Sequence, residues 1–98
     1  MILTTTNSIE GFKISDYKGI VTGTSSKIKT KISFKTEKNL QIMDDLMNKV
    51  KEHAFQKLRE NAKKLNANAV VGITVDMETE SGSYFFVSVV GTAVSVVE

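Results

Sequence analysis

The sequence predicts an α+β fold in which an antiparallel sheet packs on one long helix, with the elements in the order β-β-α-β-β. Three observations predict it. Apolar residues recur at helical spacing between residues 36 and 65, the period changes to two after Asn66, and a β-branched and aromatic segment runs from Ser83 to Val97. With 98 residues, the chain is expected to form a single domain over residues 1–98.

Two strands are predicted before the helix. Ile2–Thr6 is short and begins with apolar residues, and Gly11 marks a turn after it. Phe12–Gly23 is predicted as the second strand, with a bulge or bend near Gly19. We expect one face of this strand to carry Phe12, Ile14 and Ile20, and the other to carry Tyr17 and Val21.

The segment between the second strand and the helix is basic and open to two interpretations. Thr24–Ser26 is predicted as a loop, and residues 27–35 then alternate apolar residues with lysines. Edge lysines discourage unwanted pairing, which favours an edge strand, and a basic flap that holds RNA or a lipid surface is the alternative. Nucleic acid is not the expected partner, because Phe34 is the segment's only aromatic residue. The lysines are Lys27, Lys29, Lys31, Lys35 and Lys38.

The helix has recognisable ends. Thr36 is a suitable N-cap, and the helix is expected to end at Leu65, with Lys63 and Lys64 in its basic last turn. Asn66 follows, a residue that readily takes the left-handed conformation that ends a helix. The predicted apolar stripe consists of Leu40, Met43, Met47, Val50, Ala54, Leu58 and Leu65.

Alternating apolar and polar residues after the helix predict a strand, which forms a hairpin with the last strand. Ser81–Gly82 is predicted as a two-residue turn. If Glu80 pairs with Ser83, then Gly72 lies opposite Gly91, and the two glycines leave a notch. One face of the first strand is expected to carry Ala69, Val71, Ile73, Val75 and Met77, and the other Gly72, Thr74, Asp76, Glu78 and Glu80.

The apolar surface of the predicted fold exceeds what one copy can cover. A helix of about 29 residues is roughly 43 Å long at ~1.5 Å per residue, whereas a typical strand spans only ~17–20 Å. The last strand is also apolar on both faces. One helix covers one face, so we predict that a neighbouring copy covers the other. One face of this last strand carries Phe85, Val87, Val89 and Ala93. The opposite face carries Tyr84, Phe86, Val90, Val94 and Val96.

Composition excludes several classes of protein. The chain has no cysteine, so disulfides and thiolate metal sites are excluded. Its net charge of +2 is too small to argue for nucleic acid. No run of apolar residues approaches the ~18 that suggest a membrane span, and the N-terminus lacks the basic and apolar regions of a signal peptide. We therefore expect a cytoplasmic protein without a membrane span.

Several segments along most of the chain form a recognisable pattern: residues 1–6, 9–11, 19–23, 54–58, 66–73 and 87–94, with Ala62 and Leu65. This pattern resembles that of the YbjQ family, small bacterial proteins whose usual label is "putative heavy-metal-binding". The resemblance implies a dodecin-like α+β subunit that assembles as a ring-shaped homopentamer. The sequence departs from the family pattern between Thr24 and Lys49, and Asn66 replaces the family's glycine at the helix end.

The sequence contains few side chains that could bind a heavy metal. Soft metals prefer thiolate and imidazole, and the chain has one histidine, His53, which is expected at an interface or on the surface. In a ring, one His53 per subunit could converge on a metal at the symmetry axis. Asp76 and Glu78 are the other weak candidates, because carboxylates ~6.5–7 Å apart along a strand could bind a hard cation. No metal site or cofactor is predicted from these residues, and a solvated face is the favoured interpretation.

No set of catalytic residues is visible either. The sequence lacks a Gly-x-Ser-x-Gly motif and a phosphate-binding glycine loop. The methionines Met43 and Met47 lie one helical turn apart on the apolar stripe and are expected in the core, and Met77 lies on the strand. The sequence therefore predicts a non-enzymatic ring-forming protein of structural or small-ligand-binding type, with metal binding as the alternative.

Overall fold

The computed structural model describes residues 1–28, 36–80 and 84–98 and has the predicted order of elements. Strands β1 and β2 precede one helix, α1, and strands β3 and β4 follow it. The sheet order is β1-β3-β4-β2. The elements are β1 Ile2–Leu3, β2 Lys13–Ile28, α1 Thr36–Lys64, β3 Ala69–Glu80 and β4 Tyr84–Val97.

The sheet is mixed, so the prediction of a purely antiparallel sheet is wrong at β1. Strand β1 runs parallel to β3, whereas β4 pairs antiparallel with both β3 and β2. The first residues lie along the outer edge of β3, where the amide of Thr4 donates to the Val70 carbonyl at 3.0 Å. Their backbone thereby pairs the start of an edge that would otherwise be open.

Helix α1 lies across β2 and β4 and buries one side of the sheet. Val50, Ala54 and Leu58 are buried, as the stripe predicts, and Ala62, which follows at the same spacing of four residues, is buried as well. Leu65 does not belong to this stripe, because it follows the last helical residue and is 39% exposed. Asn66 has a φ of 62°, which confirms the left-handed helix end. The side chains of Leu40 and Met43 lie outside the described residues.

Bulges redistribute the side chains of β2 and β3 between the two faces. A register shift between Val71 and Thr74, with a φ of 61° at Gly72, moves Ile73 to the helix side, so the predicted single face from Ala69 to Met77 is wrong. In β2, register shifts follow Ile14 and Tyr17, which confirms the bulge predicted near Gly19. Register then places Ile14, Tyr17 and Ile20 on the face opposite the helix and Val21 on the helix side, so the predicted pairing of Tyr17 with Val21 on one face is wrong.

Both faces of β4 are apolar, as predicted, but the chain itself covers part of the second face. Val94 and Val96 are buried there, and Ile9 and Ile14 pack against them. This end of the face therefore needs no neighbouring copy, which corrects the prediction. Farther along β4, Phe86 and Val90 on the same face are half-buried.

The β3–β4 hairpin differs from prediction in register. Glu80 pairs with Tyr84 rather than with Ser83, and the predicted Ser81–Gly82 turn lies outside the described residues. The notch at Gly91 is filled, because a Cβ there would lie 2.6 Å from Val70 Cγ1 and 2.9 Å from Ile73 Cγ1.

The basic segment is only partly described. Thr24–Ser26 belongs to β2, so the predicted loop is wrong. The strand continues to Ile28, and residues 29–35 of the predicted edge strand or flap lie outside the described residues. Within the described part of the chain, no helix is long and apolar enough to cross a membrane.

Candidate functional site

The weak metal candidates lie on opposite sides of the sheet. His53, on α1, has its Nδ1 atom 2.9 Å from the Ser25 hydroxyl, which faces the helix. Asp76 and Glu78 pair with Ser88 and Phe86 of β4, on the face away from the helix. The sheet therefore separates the histidine from both carboxylates within one protomer.

The carboxylates form part of a polar strip on that outer face. Asp76 lies next to Ser88, which in turn pairs with Thr24 of β2. Glu78 lies next to Phe86 in the following row. Both carboxylates are exposed, which agrees with the favoured interpretation of a solvated face.

A soft-metal site does not fit the donors of a single protomer. Among the described residues, no three histidine, aspartate or glutamate side chains lie close enough together to hold an ion. Met47 is half-buried on α1 and does not belong to the buried core, so its predicted core position is not confirmed, and Met77 is 38% exposed on β3.

The more organised site is a cleft between β2 and α1. It has a volume of about 320 Å³ and is lined by Ser25, Ser26, Lys49, Val50 and His53. Ser25 is only 6% exposed, whereas Lys49 and His53 are exposed at the rim. Helix α1 brings Lys49 and His53 to one side, because residues four apart in a helix are neighbours.

Sequence reasoning missed Ser25, because a Thr-Ser-Ser run was read as a loop. The signal was present in the alternation of the strand. Val21, Gly23 and Ser25 occupy successive positions that face the helix. Pairing with the apolar strand β4 holds this polar run in extended conformation.

Gly23 lets the helix approach closely enough to form this cleft. A Cβ at this position would lie 2.1 Å from the Ala54 carbonyl oxygen and 2.7 Å from the Leu58 nitrogen. The Asn61 side-chain amide then donates to the Thr22 carbonyl at 2.8 Å. These contacts hold α1 against β2 next to the Ser25–His53 pair.

Comparison with known proteins agrees with the resemblance seen in the sequence. A family model described as "Putative heavy-metal-binding", YbjQ, matches residues 1–97. A solved structure of a protein of unknown function from Pediococcus pentosaceus ATCC 25745, assigned to the DUF74 family, superposes with a TM-score of 0.72 and 22% identity. The match covers 99% of this chain and 98% of that one. At this identity the likeness shows a shared fold, and the family match over nearly every residue shows that the chain belongs to the YbjQ family.

Proposed function

We propose that this protein is a self-associating module of structural or small-ligand-binding type, which assembles into a homopentameric ring. The observation that carries the proposal is an open, partly apolar strand edge. In the described part of the chain, β1 pairs with β3 only at Ala69 and Val70. Ile73 is the last residue of β3 whose backbone is hydrogen-bonded to residues 1–6. The rest of β3, Thr74–Glu80, has no strand on its outer side among those residues.

The side chains at this edge are suited to an interface. Val75 and Met77 are 42% and 38% exposed, and they lie on the helix side of the sheet. Helix α1 lies over β2 and β4, so it leaves both residues uncovered. An open edge with exposed apolar residues is a template for pairing with another chain, and we infer that a second copy covers it.

A second apolar surface lies at the opposite edge of the sheet. Tyr17 and Ile20 of β2 are 70% and 77% exposed on the face away from the helix. Two different surfaces on one protomer allow a head-to-tail contact, which closes into a ring when the rotation permits. The protomer is also elongated, with a radius of gyration of 16.3 Å, whereas a compact domain of this size has about 13 Å.

Mass under native conditions tests the proposal. We expect five copies of the 10.8 kDa chain at micromolar concentration. A monomer at all concentrations would overturn the assembly. In the proposed assembly, any small ligand would bind in a cleft of the protomer or between subunits. The cytoplasmic location stays a prediction.

Metal binding is the second candidate, and the Ser25–His53 bond favours it. Ligating histidines commonly donate the N–H of their second ring nitrogen to a hydrogen-bond acceptor, and the tautomer in which His53 Nδ1–H donates to the Ser25 hydroxyl leaves the Nε2 lone pair for a metal. The single protomer lacks further donors within the described residues, so the site needs symmetric copies of His53. Elemental analysis of the purified assembly tests this, since less than one ion per five chains argues against it. No catalytic role is proposed.

A further inference from the structure

The cleft between β2 and α1 has the chemistry of an anion site. Two of its lining side chains, Lys49 and His53, carry nitrogen donors at the rim. Among the described residues that line it, none is acidic. The only ion pair among the described residues joins Lys18 to Asp16 at 3.0 Å. The ammonium group of Lys49 therefore has no carboxylate within ion-pair distance in that part of the chain.

The buried end of the cleft fixes the orientation of the imidazole. Ser25 is 6% exposed, and its hydroxyl has one hydrogen-bond partner in the described residues, His53 Nδ1 at 2.9 Å. A buried hydroxyl satisfies its proton by donating it. When Ser25 donates to Nδ1, the ring proton lies on Nε2 and the neutral imidazole presents an N–H donor to the cleft, whereas the opposite tautomer would present the lone pair that a metal needs.

At Ser26, strand β2 lines the cleft with backbone atoms rather than with a further side chain. Ser26 pairs with Phe86, so register places its side chain on the face away from the helix. The part of Ser26 that lines the cleft is then its main chain. Strand β2 is the last strand of the described sheet, so some of its backbone amides point outward and are available to a ligand.

We propose that this cleft binds a small oxyanion, the phosphate or carboxylate group of a ligand, between the Lys49 ammonium group and the His53 Nε2–H. Charge-assisted hydrogen bonds from such donors to oxyanions are stronger than those between neutral groups. The inference deepens the ligand-binding part of the proposed function, but its residues all belong to one protomer. It therefore does not depend on the β3 edge.

The single histidine makes a direct test possible. The imidazole resonances of His53 are unique in the NMR spectrum, and they are followed during titration with inorganic phosphate and, separately, with acetate, against chloride at constant ionic strength. We expect saturable shifts with phosphate or acetate, and whichever binds more tightly identifies the class of oxyanion. A long-range ¹H–¹⁵N spectrum of the neutral ring is expected to show the proton on Nε2.

A matched pair of variants distinguishes the site from general charge attraction. Lys49→Gln is expected to weaken binding about three- to tenfold, because it removes a charged but exposed donor. Lys64→Gln makes the same charge change at the exposed end of the helix and is expected to leave affinity within twofold. Shifts that stay linear with both anions, equal effects of the two variants, or a proton on Nδ1 would overturn the proposal. The elution volume of the same samples reports self-association separately.

Discussion

Asn68 and Val96 are joined by two hydrogen bonds, in which the side-chain amide of Asn68 pairs with the backbone of Val96 as a neighbouring strand would. The Asn68 Nδ2 group donates to the Val96 carbonyl at 3.0 Å, and the Val96 amide donates to Asn68 Oδ1 at 2.7 Å. The backbone amide of Asn68 also donates to the Val94 carbonyl at 3.1 Å. The turn after α1 is thereby fastened to β4 before β3 begins.

We predict that Asn68→Ala lowers the free energy of unfolding by about 2–3 kcal/mol, because it removes two hydrogen bonds and leaves two partly buried backbone groups of Val96 without partners. Asn61→Ala removes one side-chain bond, to the Thr22 carbonyl, and is expected to cost about 1 kcal/mol. Urea unfolding at one fixed protein concentration measures both, since assembly makes stability depend on concentration. Equal losses in the two variants would contradict the bridging role of Asn68.

Gly23 is the position where the helix and sheet backbones come closest. A Cβ there would lie 2.1 Å from the Ala54 carbonyl oxygen, and backbone cannot move aside as a flexible side chain can. We predict that Gly23→Ala costs about 3 kcal/mol of unfolding free energy through overpacking.

Gly11→Ala is the control for the change at Gly23. Gly11 has a φ of 86° and no atom within 4 Å of an added Cβ, so this variant reports backbone strain alone, about 1–2 kcal/mol. Denaturant unfolding monitored by circular dichroism compares the two. A Gly23→Ala variant as stable as the wild type would mean that α1 does not approach β2 as closely as described.

The sequence predicted those parts of the fold that local chemistry determines. The helix end depends on Asn66 itself, whose φ is 62°, and the buried stripe from Val50 to Leu58 depends only on helical spacing. The bulge at Gly72 was missed because its extra residue is defined only by the pairing with β4. The packing of Ile9 against the cluster that contains Val94 is likewise an interaction between distant segments, which periodicity cannot reveal.

The candidate site was less predictable than the fold for the same reason. His53 could be singled out as the only histidine, but its partner Ser25 is 28 residues away in the sequence. Asp76 and Glu78 shared a face as predicted, yet only the sheet topology shows that this face lies away from His53. The cleft exists because β2 continues past Gly23 through Thr24–Ser26, three residues that were predicted as a loop, and so brings Ser25 to His53.

The open edge of β3 gives the sharpest test of self-association. We predict that Val75→Lys combined with Met77→Lys lowers the native mass from a pentamer towards the 10.8 kDa protomer, because lysines at an edge oppose strand pairing and apolar contact. Light scattering after size exclusion measures this.

The control for the edge variant places lysines elsewhere on the surface. Asn48→Lys with Gln56→Lys adds the same two positive charges at exposed helix positions, and we expect the mass of the wild type. Circular dichroism confirms that both proteins are folded. A folded edge variant with unchanged mass would show that subunits do not meet at Val75 and Met77.

Metal binding, if the assembly has it, is predicted to depend on His53 and not on the carboxylates. The sheet separates the Ser25–His53 pair from Asp76 and Glu78, so one ion cannot be shared between them within a protomer. Calorimetry with Zn²⁺ on the assembled protein is expected to lose its signal in His53→Ala, whereas Asp76→Asn with Glu78→Gln retains the affinity within about twofold. Binding that survives His53→Ala but disappears with the carboxylate changes would move the site to the outer face, where hard-cation chemistry would replace imidazole ligation.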